Sequence, residues 1–84
     1  MFGLFQSQVD KMLKEARELW IHDWQTALGE FDDAAEYAKY RSPKEIKKAF
    51  LEAARHYRYA CDRDLSRASA FRESADAYER HANN

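Results

Sequence analysis

Eighty-four residues with a formal net charge of −1 make one small domain whose bulk electrostatics draw it to neither nucleic acid nor a membrane surface. With 45% hydrophobic and 35% charged residues, two glycines and one proline, the chain falls in the globular class and outside the disordered and fibrous ones. Valine, isoleucine and threonine are confined to Val9, Ile21, Ile46 and Thr26, a bias that favours helix over strand. No apolar run approaches the ~20 residues of a membrane span, and no secretory leader is visible. A single cysteine excludes an internal disulfide and fits a reducing compartment, so the expected location is cytoplasmic. Charge is unevenly spread. Residues 1–42 carry five Lys/Arg against eight Asp/Glu, and residues 43–84 carry nine against seven.

The chain opens with "MFGLF". Phe2, Leu4 and Phe5 precede the first helix signal and offer more apolar bulk than so small a core takes in, which marks them as candidate contacts with a partner, with a second copy or, weakly, with a membrane. A first helix is expected from Ser7, with Asp10 three residues on as a weak capping box. Its apolar stripe runs Val9, Met12, Leu13, Ala16, Leu19, Trp20, Trp24, Ala27 and Leu28, and Gly29 reads as its C-terminal stop. "EFDDAAEYAKY" predicts a shorter helix with Asp32 or Asp33 near its start and Phe31, Ala34, Ala35 and Ala38 on one side.

"SPKEI" is the clearest local signal. Ser42 caps, Pro43 fits the first helical position, and Glu45 completes the S-x-x-E box. Behind it Ile46, Ala49, Phe50, Ala53, Ala54, Tyr57, Ala60 and Cys61 keep the i, i+3, i+4, i+7 spacing. A last helix over roughly 65–81 shows Leu65, Ala68, Phe71, Ala75, Tyr78 and Ala82 inward, capped by Asp64 or Ser66. One unbroken helix across both stripes is the alternative, because no proline or glycine follows Pro43. Asp62, Asp64 and Ser66 compete with helical backbone hydrogen bonds and favour a break.

An offset of 34 residues lays Met12 on Ile46, Ala16 on Phe50, Ala27 on Cys61, Phe31 on Leu65, Ala34 on Ala68 and Tyr37 on Phe71. "DWQTALGE" then lies over "YRYACDRD", the stretch that gathers tyrosine, arginine, aspartate and the lone cysteine, so that stretch reads as a hairpin corner. The expected architecture is all-α, a single domain over 1–84 with four helices in two antiparallel hairpins, about 7–41 and 43–81. "GEFDDAAEYAKYRSP", with Gly29, Phe31, Ala34 and Pro43, resembles the second half of a tetratricopeptide repeat, and Leu65, Ala68, Phe71 and Ala75 resemble the same elements of a second unit. That resemblance implies stacked helical hairpins that bind a peptide or protein. "SPKEIKKAFLEAARHYR" with "FRESADAYERH" resembles the second and third helices of a J-domain. The family's His-Pro-Asp tripeptide is missing, and the loop reads Tyr59-Ala60-Cys61-Asp62.

Signs of catalysis are missing too. His22, His56 and His81 form no metal-like pair with each other or with Cys61, and no nucleophile triad or phosphate loop can be drawn. No enzyme, metal or cofactor is expected. Cys61 reads as a small inward residue. Trp20, Trp24, Tyr37 and Tyr40 are candidate interface anchors. The expected function is non-catalytic protein–protein interaction, as an adaptor, small chaperone or inhibitor of a larger protein, with a homodimer among the expected partners. Compact chains of this enzyme-free type are often encoded by phages or mobile elements. The alternative is a nucleic-acid-associated regulator using a basic face of Lys44, Lys47, Lys48, Arg55 and Arg58.

Overall fold

The computed structural model describes residues 7–84; the candidate contacts Phe2, Leu4 and Phe5 lie outside them. Four helices follow in order: α1 (Gln8–Trp20), α2 (Trp24–Ala38), α3 (Pro43–Arg63) and α4 (Ala68–Ala82), with a 3-10 turn over Leu65–Arg67. No strand occurs among the described residues, and the fold class is all-α.

The starts of α1, α2 and α3 each have a local chemical cause, whereas α4 continues from the 3-10 turn that Asp64 caps and has no side-chain cap of its own. The Ser7 hydroxyl accepts the Asp10 N–H at 3.0 Å. Ser42 accepts the Glu45 N–H at 3.2 Å, and the Glu45 carboxylate accepts from the Ser42 N–H at 3.5 Å, so the capping box is complete. Such a cap contributes about 1 kcal/mol.

The first boundary differs from the sequence expectation. The chain reverses at Ile21–Asp23, eight residues before the glycine that reads as a stop. Asp23 is the reason. One of its oxygens accepts the Thr26 N–H at 3.2 Å and the other the Thr26 hydroxyl at 2.6 Å, which starts α2 at Trp24. Asp32 and Asp33 therefore fall inside α2 and cap nothing. Gly29 lies in the interior of α2, exposed and without a positive φ. A Cβ built there meets nothing within 4 Å. Gly29→Ala is expected to raise stability by about 0.5–1 kcal/mol, since alanine is the better helix former and loses less backbone freedom. A urea denaturation series checks it, and a true C-terminal stop would give the opposite sign.

The second boundary follows the expected break. Asp64 is extended (φ −146°, ψ 95°), and one of its carboxylate oxygens takes both the N–H and the hydroxyl of Ser66, at 3.1 and 2.6 Å. Leaving the helix at Asp64 turns one member of the expected stripe outward, while Phe71, Ala75 and Ala82 stay buried. Leu65, expected inward, is 79% exposed. With turns at Ile21–Asp23 and at Asp64, "DWQTALGE" and "YRYACDRD" are not equivalent corners.

Helices α1 and α2 form one hairpin and α3 and α4 the other, joined by packing of α2 on α3. α1 runs parallel to α3, with Arg17 on Glu52 and Trp20 on His56. The assembly is a slab of 45 × 32 × 14 Å. Its main core gathers Val9, Leu13, Phe31, Phe50 and a set of alanines that includes Ala16, Ala34 and Ala53. A second cluster of Leu28, Ala60 and Phe71 takes Trp20, Trp24, Tyr57 and Cys61 on its edge. Alanine at the helix crossings lets backbones approach closely, which is how so thin a slab excludes water.

Candidate functional site

Because α1 and α3 run parallel, both hairpin turns fall at one end of the slab, where the second cluster meets solvent. Trp20 and Trp24 stand with ring centroids 6.0 Å apart, tilted, and each also packs on α3 or α4: Trp20 on Tyr59 at 6.2 Å, Trp24 edge-on to Phe71 at 6.1 Å. The Arg63 guanidinium lies 5.9 Å from the Trp20 ring centre, and that of Arg67 lies 5.9 Å from Trp24 and 5.0 Å from Phe71. Outside these half-buried rings stand Ile21 and Leu65, each 79% exposed, and Tyr59 at 49%. Arginine planes over aromatic rings contribute about 0.5–1 kcal/mol each at exposed sites, and they hold the end face in one arrangement.

His56 anchors this end from below. It is buried, its ring stacked on Phe31 at 4.0 Å and edge-on to Trp20 at 5.0 Å. Its Nδ1–H donates to the Glu52 carbonyl at 2.9 Å. Burial pushes its pKa below the usual histidine value, against a weaker opposing pull from Glu52, so the ring is neutral at pH 7. Cys61 is half-buried with Sγ 3.4 Å from the Ala68 carbonyl and 3.5 Å from that of Tyr57, a packed small side chain.

The other candidate residues are dispersed. Tyr37 (38% exposed, beneath the Arg41 guanidinium) and Tyr40 (80%) sit at the C-terminal end of α2, opposite the tryptophans. Trp20 and Trp24 contribute to core packing as well as to the surface. Along the basic face, Lys44, Lys47 and Arg55 are exposed, Lys48 is paired with Asp10 at 2.5 Å, and Arg58 holds both Asp76, at 2.8 Å, and Glu79. Carboxylates thus interrupt that face.

A second feature has no counterpart in the sequence reading. α2, α3 and α4 enclose an open groove of about 430 Å³. At its side the two oxygens of Asp32 accept the hydroxyls of Tyr57 (2.7 Å) and Tyr78 (2.6 Å), one from each neighbouring helix. Burial, then the hydrogen bond to the Asp32 carboxylate, raises the pKa of both phenols well above the usual tyrosine value. The donors stand 25 and 46 residues from Asp32, separations for which no local pattern exists.

Among the described residues no group of three or more His, Cys, Asp and Glu side chains is placed to hold a metal ion, and no helix is long and apolar enough to cross a membrane. Comparison with protein-family models, with curated proteins and with solved structures finds no match to this chain.

Proposed function

We propose that this chain is a non-catalytic protein–protein interaction module, an adaptor, small chaperone or inhibitor of a larger protein, that engages its partner through the end face. One observation carries the reading. Ile21 and Leu65, both 79% exposed, flank half-buried Trp20 and Trp24 with Arg63 and Arg67 laid over the rings. Exposed aliphatic groups around Trp, Tyr and Arg have the composition of interface hot spots, and partner binding would remove their apolar surface from water. Pairing of α1 with α2 and of α3 with α4 gives two antiparallel hairpins whose turns share the end face. A second copy of the chain is one candidate partner, and the lone thiol fits a reducing, cytoplasmic setting. The nucleic-acid reading has weaker support, since Lys48 and Arg58 are engaged by carboxylates.

Recovery of bound protein from the native host by an Ile21→Ser/Tyr59→Ala/Leu65→Ser variant tests it, with sedimentation at two concentrations for self-association. These three side chains are surface groups, so far-UV circular dichroism should not change. Loss of at least about tenfold in affinity is expected, because truncating hot-spot residues costs about 1–4 kcal/mol each. Undiminished binding by this variant, with loss on Tyr40→Ala instead, would move the interface to the opposite end.

A further inference from the structure

The groove between α2, α3 and α4 is not used by the end-face reading and shares none of Ile21, Tyr59 and Leu65. Its wall carries an unusual charge. Asp32 is half-buried, and no lysine or arginine lies within ion-pair distance of it among the described residues. Its only side-chain donors are two neutral phenols. A carboxylate withdrawn from water gains most from an opposite charge, and neutral hydrogen bonds compensate only part of that loss. Each Asp32 oxygen takes one phenolic O–H, and a carboxylate oxygen has room for a second donor. The two hydroxyls also fix the direction in which the carboxylate faces, since they approach from different helices.

Aromatic rings line the groove beside that charge. Tyr57 and Tyr78 are tilted by 35° with centroids 6.0 Å apart, Phe50 stands edge-on to Tyr78 at 5.2 Å, and His81 lies 4.8 Å from Phe50. Glu36 adds a second carboxylate at the rim, where Lys39 neutralises it at 2.9 Å. A groove of about 430 Å³ lies within the ~300–1,000 Å³ of ligand sites. Aromatic faces beside a fixed carboxylate are the chemistry that recognises an organic cation, through cation–π attraction and a charge-assisted hydrogen bond. An anion would meet Asp32 and the negative faces of the rings, and a purely apolar group would leave the carboxylate still less hydrated.

We propose that this groove binds the cationic side chain of a lysine or arginine presented by a partner polypeptide, with Asp32 as the counter-charge and Tyr57 and Tyr78, backed by buried Phe50, as the aromatic walls. The site is preorganised, since the tyrosine hydroxyls already hold the carboxylate in place.

Amide ¹H–¹⁵N spectra of the full chain, titrated with acetyl-Ala-Lys-Ala-amide, acetyl-Ala-Arg-Ala-amide and acetyl-Ala-Gln-Ala-amide, test this. The two cationic peptides should give saturable shifts at Asp32, Glu36, Ser74 and Ala77 with affinities on the order of millimolar. The glutamine peptide should give none, and raising the salt from 50 to 500 mM should weaken the cationic pair. Asp32→Asn keeps an acceptor for one phenol, offers an N–H to the oxygen of the other, and removes the charge. It should reduce affinity by at least about tenfold with the helix content unchanged. Equal shifts from the glutamine peptide, affinity insensitive to salt, or silence of the groove amides with all three peptides would each overturn the assignment on the wild-type protein alone, even where Asp32→Asn does not fold. The end-face variant binds these peptides normally if the groove acts independently, so failure of one site is distinguishable from failure of the other.

Discussion

Phe31→Ala is expected to destabilise the domain by about 3–5 kcal/mol, the range for truncating a fully buried phenylalanine. Phe31 is wholly inaccessible, sits in the main core with Leu13, Ala34 and Phe50, and carries the His56 ring on its face at 4.0 Å. Its loss would leave a cavity and a neutral imidazole without its stacking partner, held by its hydrogen bond to the Glu52 carbonyl and its edge contact with Trp20. A domain of this size has a total stability of roughly 4–13 kcal/mol, so the variant should be marginally folded, with a midpoint lowered by roughly 15–30 °C. Thermal unfolding followed by circular dichroism checks it. A loss below about 1 kcal/mol would mean that neighbouring helices close the gap, which the helix crossings at Ala34 and Ala53 leave little room to do. Phe31→Leu should recover more than half of the loss by refilling most of the volume.

Ala53→Leu should cost about 1–3 kcal/mol or more, for the opposite reason. Ala53 has no accessible surface and lies in the cluster that joins α1, α2 and α3. Three added carbons have no void to enter, so the chain must either take a strained rotamer or move one helix away from another. Ala70→Leu, on the exposed face of α4, adds the same atoms and should stay within about 0.5 kcal/mol of the wild type. The contrast in chemical denaturation separates packing from helix propensity, which both substitutions change equally. Equal effects at the two positions would show that the crossing at Ala53 is looser than its burial indicates.

Much of the fold is legible in local chemistry. Ser42, Pro43 and Glu45 declare the start of α3 within four residues, and the stripe from Ala49 to Ala60 lies on the buried face. The break before α4 follows from Asp64 and Ser66. The turn after α1 was less legible, because Gly29 carries a strong general signal for helix ends while Asp23 and Thr26 carry a weaker one that is satisfied in the structure. Leu65 shows the limit of periodicity, since it falls in the 3-10 turn at the break, while the stripe resumes with Phe71, Ala75 and Ala82 buried. The two tryptophans were readable as interface candidates, but their dual role depends on Arg63 and Arg67 arriving from across the turn. Asp32 was legible only as an acidic residue near a helix start. Its pairing with Tyr57 and Tyr78 is set by the packing of three helices, and nothing in the neighbourhood of any of the three residues encodes it.

The alanines have a consequence for how the packing is specified. Among the described residues, eleven of the seventeen buried apolar ones are alanine, leaving Val9, Leu13, Leu28, Phe31, Phe50 and Phe71. An alanine side chain has no rotamer to choose and loses no side-chain entropy when buried. The selection of one packing over its neighbours therefore falls to those six side chains and to the half-buried ones packed against them, among them Met12, Trp20, Trp24, Ile46 and Tyr78, while the alanines act as a size limit that any register must respect. Sequences could drift widely on the outer faces and still keep this slab, provided those shapes and that limit are retained.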